Sequence, residues 1–93
     1  METLRFGGEI RYWNPEKGGG LAVVDVPADG IAALGGLKQQ RVRGRLGGTD
    51  FVSSVAPAGG GRLALSVSKA MMSAAGAAVG ERVEVEITGV GRE

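Results

Sequence analysis

Residues 18–46, GGGLAVVDVPADGIAALGGLKQQRVRGRL, lie without gaps over residues 59–87, GGGRLALSVSKAMMSAAGAAVGERVEVEI, at an offset of 41 positions. The identical pairs are Gly18/Gly59, Gly19/Gly60, Gly20/Gly61, Val26/Val67, Ala33/Ala74, Gly35/Gly76, Arg41/Arg82 and Val42/Val83. Chance in so Gly-, Ala- and Val-rich a chain supplies roughly three such pairs, so the apolar pattern carries more weight than the identities. Ala22, Val24 and Val26 fall on Leu63, Leu65 and Val67, and Val42 and Leu46 fall on Val83 and Ile87. With one residue of slack, Arg5-Phe6-Gly7-Gly8 also lies over Arg45-Leu46-Gly47-Gly48.

Each copy reads as strand, turn, strand, short helix, strand. Leu63, Leu65 and Val67 alternate with Arg62, Ala64, Ser66 and Ser68, and Val83, Val85 and Ile87 alternate with Arg82, Glu84, Glu86 and Thr88. Period two is the mark of a strand with one face buried. Between them Lys69–Ala75 is rich in helix formers, with Ser68 placed to cap it and Gly76 to end it. Met72 and Ala75, and Ile31 and Leu34 in the first copy, lie three apart and can share a core-facing side. Residues 3–12 and 49–56 supply two further strands, and the triple glycines at 18–20 and 59–61 make turns. The pattern predicts one mainly β domain over residues 1–93. It is a small closed barrel of about six strands with two short helices, built from pseudo-twofold repeats over about 5–46 and 45–88. Closure hides the sheet edges that would otherwise pair with other chains.

Composition narrows the function. The chain has 93 residues, 43% of them hydrophobic but only 4% aromatic, so the core must be aliphatic. Eleven basic residues against ten acidic ones leave a net charge of +1, too balanced to imply a polyanion as partner. No cysteine and no histidine are present, which removes disulfides, zinc-thiolate sites and the commonest general base. No apolar run reaches membrane-span length, and Met1-Glu2-Thr3-Leu4-Arg5 lacks the parts of a signal peptide, so a cytoplasmic setting away from membranes is expected.

Motif by motif, chemistry is sparse. Ser66-Val67-Ser68-Lys69 has the S-x-x-K lettering of penicillin-binding enzymes, but Ser66 falls on a strand and the companion motifs are missing. The glycine turns lack a following Gly-Lys-Ser/Thr, so hairpin turns outweigh a phosphate cradle. Asp25, Asp29, Asp50 and the C-terminal glutamates show no calcium-loop spacing. Neither a metal nor a cofactor is expected.

Arg41, Arg43 and Arg45 share one strand face, and Arg62 and Lys69 could extend it into a phosphate-contacting strip. Against that, the second copy carries Arg82, Glu84 and Glu86 at the aligned positions. Antiparallel pairing about the pseudo-twofold would set Arg43 against Glu84 and Arg41 against Glu86, neutralising the strip. Trp13, in Tyr12-Trp13-Asn14-Pro15, is the only tryptophan and suits either a lid on the core or a stacking platform. Candidate ligand or partner contacts are therefore Trp13, Arg43, Arg45, Arg62 and Lys69, with no catalytic residue.

Beyond these local patterns, Val42-Arg43-Gly44, Gly48, Phe51, Ser53-Ser54, Pro57, Gly59-Gly60-Gly61, Lys69, Gly76 and Val79-Gly80-Glu81-Arg82-Val83-Glu84-Val85 carry a family resemblance. Phe6, Val24–Pro27 and Leu34-Gly35-Gly36 extend it over nearly the whole chain. The chain resembles a small bacterial family of unknown function, whose members stand alone or beside a YdeI/OmpD-associated, bacteriocin-protection-like domain. The resemblance implies a double-split β-barrel, the fold class of AbrB/MazE-type DNA-binding proteins, and no established activity. Met72 stands where the family usually has an arginine, and Leu21 where it has an aromatic. The expectation is a non-enzymatic binding or accessory domain, a monomer or weak homo-oligomer, engaging a protein or small ligand. An AbrB-like nucleic-acid-binding regulator is the alternative, and a small enzyme the weakest reading.

Overall fold

A computed structural model of the chain describes residues 3–13, 21–34, 36 and 39–89, with the side chains of 29 and 33 excepted. Six strands form: β1 (Thr3–Tyr12), β2 (Ala22–Val26), β3 (Gln40–Leu46), β4 (Thr49–Gly59), β5 (Arg62–Val67) and β6 (Arg82–Gly89). They close into an antiparallel barrel in the order β1-β2-β5-β4-β3-β6. Closure leaves no edge strand among them, as the exposed-edge argument requires.

Alternation sorts inside from outside. Val24, Val26, Val42, Leu63, Leu65, Val67, Val85 and Ile87 are buried, as expected, and Ile10, Leu46, Phe51 and Val55 join them. Val83 is the exception: it packs on the core but is only half-buried, near the start of β6. On β2 and β5 part of the outward set is covered too, since Val23 and Ala64 are buried while Arg62 stays exposed. Among the described residues no helix is long and apolar enough to cross a membrane.

One short helix forms where two were expected. In α2 (Lys69–Ala75), the Ser68 hydroxyl accepts the Met71 N–H at 3.1 Å, and the Met71 sulfur accepts the Ser68 N–H at 3.4 Å. Gly76 closes it in the left-handed conformation at φ 67°, a backbone shape that suits glycine. The first copy yields only the single turn α1 (Ala28–Ile31), continued by a 3-10 turn at Ala32–Leu34. Pro27 offers no capping side chain, and Gly30 weakens the interior. A Cβ at Gly30 would come within 2.5 Å of the end of the Leu4 side chain, which would have to shift to make room.

Two further expectations are corrected. Arg5–Gly8 and Arg45–Gly48 are not equivalent: Gly7 and Gly8 lie inside β1, whereas Gly47 and Gly48 form the β3–β4 turn with φ of 57° and 86°. The β3–β6 register is also displaced by four residues: Arg43 stands opposite Thr88 and Arg45 opposite Glu86. Gly59–Gly61 do form the β4–β5 turn, and β4 runs on to Gly59 rather than ending at 56. The Gly18–Gly20 turn, Asn14-Pro15 and Gly35 lie outside the described residues.

Candidate functional site

Outward residues of four neighbouring strands meet on one side of the barrel. From β1 comes Arg5, from β6 Glu86 and Thr88, from β3 Arg43 and Arg45, and from β4 Asp50 and Val52. Gly44 and Phe51 complete the lining of an open groove of about 720 Å³. A smaller hollow of about 310 Å³ adjoins it, sharing Arg5, Arg45 and Glu86 and extending to Glu84 and Gly48.

Gly44 shapes this wall. A Cβ there would fall 1.7 Å from the Glu86 carbonyl oxygen and 2.8 Å from the Ile87 Cα, so only glycine lets β3 and β6 approach so closely. Directly across β4 stands Phe51, whose ring is buried beside this gap.

The groove's three arginines differ in their company. Arg5 Nε lies 3.4 Å from Glu86 Oε2, and Arg45 Nε donates to Asp50 Oδ1 at 3.2 Å. Arg43 has no carboxylate partner among the described residues, and neither has Arg41 two positions before it. The expected neutralisation of the strip by β6 glutamates therefore fails for both. The cause is the four-residue displacement, which brings Thr88 rather than Glu84 opposite Arg43. Thr3 and Thr88 form a hydroxyl pair at 3.0 Å next to it. On the other flank Val52 is 61% exposed and adds an apolar surface to the groove.

The other anticipated contacts lie elsewhere. Arg62 is at the start of β5, where its Nε donates to the Gly59 carbonyl at 3.4 Å, and Lys69 is exposed in the first turn of α2. Trp13 is half-buried just after β1, its backbone N–H donating to the Leu21 carbonyl at 2.7 Å. None of the three lines the groove. Val52, Thr88 and Arg5 were not singled out by sequence; the signal available was an apolar residue on the outward set of β4, at Val52.

Elsewhere on the outer face, Arg11 grips Asp25 from β1 to β2 with Nε–Oδ2 3.0 Å and Nη2–Oδ1 2.8 Å. That hydrogen bonding holds the Asp25 carboxyl below the usual carboxylate range, against an opposing effect of burial. Among the described residues no three His, Cys, Asp or Glu gather to hold a metal ion. Ser66 lies on β5 and Ser68 caps α2, so the S-x-x-K lettering does not place serine and lysine on one helical turn.

No curated protein matches the chain. A family model described as "Domain of unknown function (DUF1905)" matches residues 6–87, from the buried Phe6 of β1 to the buried Ile87 of β6. The match covers β2 to β5 whole and most of β1 and β6, leaving the groove residues Arg5 and Thr88 just outside it, and the chain belongs to that family.

Proposed function

We propose that this domain is a non-enzymatic binding module, and that Arg43 receives a single anionic group of a protein partner or small ligand in the outer-face groove. The observation that carries this is the contrast among the groove's arginines. Arg5 and Arg45 are engaged by Glu86 and Asp50, whereas the Arg43 guanidinium has no acidic partner among the described residues. A guanidinium presents a planar fork suited to carboxylate or phosphate. The Thr88 hydroxyl supplies a neighbouring polar contact and Val52 an apolar one.

Three arginines stand against two carboxylates in the lining, and Asp50 is strongly exposed. A continuous polyanion would have to cross those carboxylates, whereas one anionic group fits beside Arg43. The nucleic-acid reading draws support from Arg41 and Arg43, two residues apart on β3 and thus about 7 Å apart. An enzymatic role has less support: the chain lacks His and Cys, and the groove's carboxylates are already bound by arginine.

Titration of the full chain with inorganic phosphate, with acetate and with mixed-sequence duplex DNA, followed by amide NMR, tests this. Saturable shifts at Arg43, Thr88 and Val52 with phosphate or acetate, lost in Arg43→Ala, are expected. Duplex binding should be weak, with a shallow salt dependence. Tight duplex binding that falls steeply with salt and vanishes in Arg43→Ala would instead favour the regulator.

An accessory role in a bacterial cytoplasm is part of this proposal and rests on the resemblance carried by the sequence alone. We also infer a double-split barrel of two copies, β1-β2-α1-β3 and β4-β5-α2-β6. Exchanging β1 with β4, β2 with β5 and β3 with β6 leaves the ring order unchanged, which supports this reading. So do two contacts in which equivalent positions pair with each other: Val24 with Leu65, and Arg45 with Glu86. Phe6 and Phe51 then correspond, facing Val85 and Gly44.

A further inference from the structure

Arg5, Glu86, Arg45 and Asp50 stand side by side on four adjacent strands. Arg5 is opposite Glu86, Glu86 is opposite Arg45, and Arg45 is opposite Asp50, so the signs alternate along the row. Both arginines belong to the first half of the chain, on β1 and β3, and both carboxylates to the second, on β4 and β6. The ladders β1·β6, β2·β5, β3·β4 and β3·β6 all join the halves, and only β1·β2 and β4·β5 lie within one. Each half therefore completes its sheet only against the other.

On the two-copy reading, on which this inference rests, the exchange of halves carries Arg5 onto Asp50 and Arg45 onto Glu86. Two first halves assembled into the same barrel would line up four arginines. Two second halves would line up four carboxylates. We propose that the row is a pairing code: each half recognises a half of opposite charge and rejects another copy of itself. Exposed ion pairs add little attraction. Like charges set directly opposite across strands are penalised, so the code acts chiefly by exclusion. At the Arg45/Glu86 position the discrimination is sharpest, because there a symmetric assembly would set a residue against its own copy. The code requires the halves to be opposite in sign; which half is positive does not matter.

Thermal melts of full-length charge variants test this. Arg5→Asp with Arg45→Glu makes the row wholly acidic, and Asp50→Arg with Glu86→Arg makes it wholly basic. Each pair of changes should lower the melting temperature by roughly 5–15 °C at low salt, with most of the loss recovered in 1 M salt. All four changes together restore alternation and should melt within about 3 °C of the parent. Half-set variants that melt with the parent, or a four-change chain as unstable as they are, would overturn the code. The core exchange Val24→Leu with Leu65→Val reads the two-copy geometry without touching charge. A parent-like melt there, with no recovery in the four-change chain, sinks the code and leaves the two-copy reading standing. Collapse of the core-exchange chain sinks both.

Discussion

Arg11 and Asp25 are joined by two hydrogen bonds across the β1–β2 ladder, at 3.0 and 2.8 Å, and Arg11 also donates to the Tyr12 carbonyl at 3.2 Å. Both side chains keep about a third of their surface in water, so the pair belongs at the upper end of surface ion pairs rather than among buried ones.

The Asp25 carboxyl is held low in the folded chain, chiefly by the Arg11 hydrogen bond. A group lowered in this way contributes stability that is fully present above its unfolded value, near 3.8, and lost as pH falls through the lower folded value. Asp25→Asn should cost about 0.5–1 kcal/mol at pH 7. It should also flatten the acid side of the stability profile. Urea midpoints of parent and variant between pH 2 and pH 7 check both, and curves that stay parallel below pH 4 would show that the pair does not contribute.

Leu65 has no exposed surface and faces Val24 across β2 and Val55 across β4. Leu65→Ala should cost about 2–5 kcal/mol through lost burial and the cavity left behind. That is a large share of a small domain's stability. A loss below about half a kcal/mol in denaturant unfolding would place Leu65 on the surface and the strand register in error.

Gly44→Ala should be severe for a substitution of one methyl, because the new atom meets the Glu86 carbonyl and not a side chain that can swing away. The β3 and β6 backbones must part, and a loss of about 1–3 kcal/mol is expected. The same change at the exposed turn residue Gly48 meets no atoms but is strained by its φ of 86°. Amide exchange should separate the two, with protection lost along β3 and β6 for Gly44→Ala only.

The strands, their inward faces and the capped helix α2 were legible in the chain because each rests on local periodicity. Leu63, Leu65 and Val67 declare a face by themselves, and Ser68 and Gly76 bracket a helix without reference to any other element. The shortened α1 was legible in part, since Pro27 and Gly30 are poor helix residues, but the matching of Ile31 and Leu34 to Met72 and Ala75 obscured it.

What the candidate site offers was decided by tertiary structure. Alternation tells which side of a strand faces the core, and a slip of four residues leaves every inward residue inward. Arg43 against Glu84 and Arg43 against Thr88 are therefore equally good readings of the sequence of β3 and β6. Only closure of the ring selects between them: β6 must pair with β1 on one side and β3 on the other, with Phe6 meeting Val85 and Gly44 meeting Ile87. The sequence by itself determined an aliphatic barrel with charges outside, because burial is dictated residue by residue. Which of those charges are paired, and that Arg43 is left beside Thr88 and Val52, follows from a register that only the closed sheet as a whole can specify.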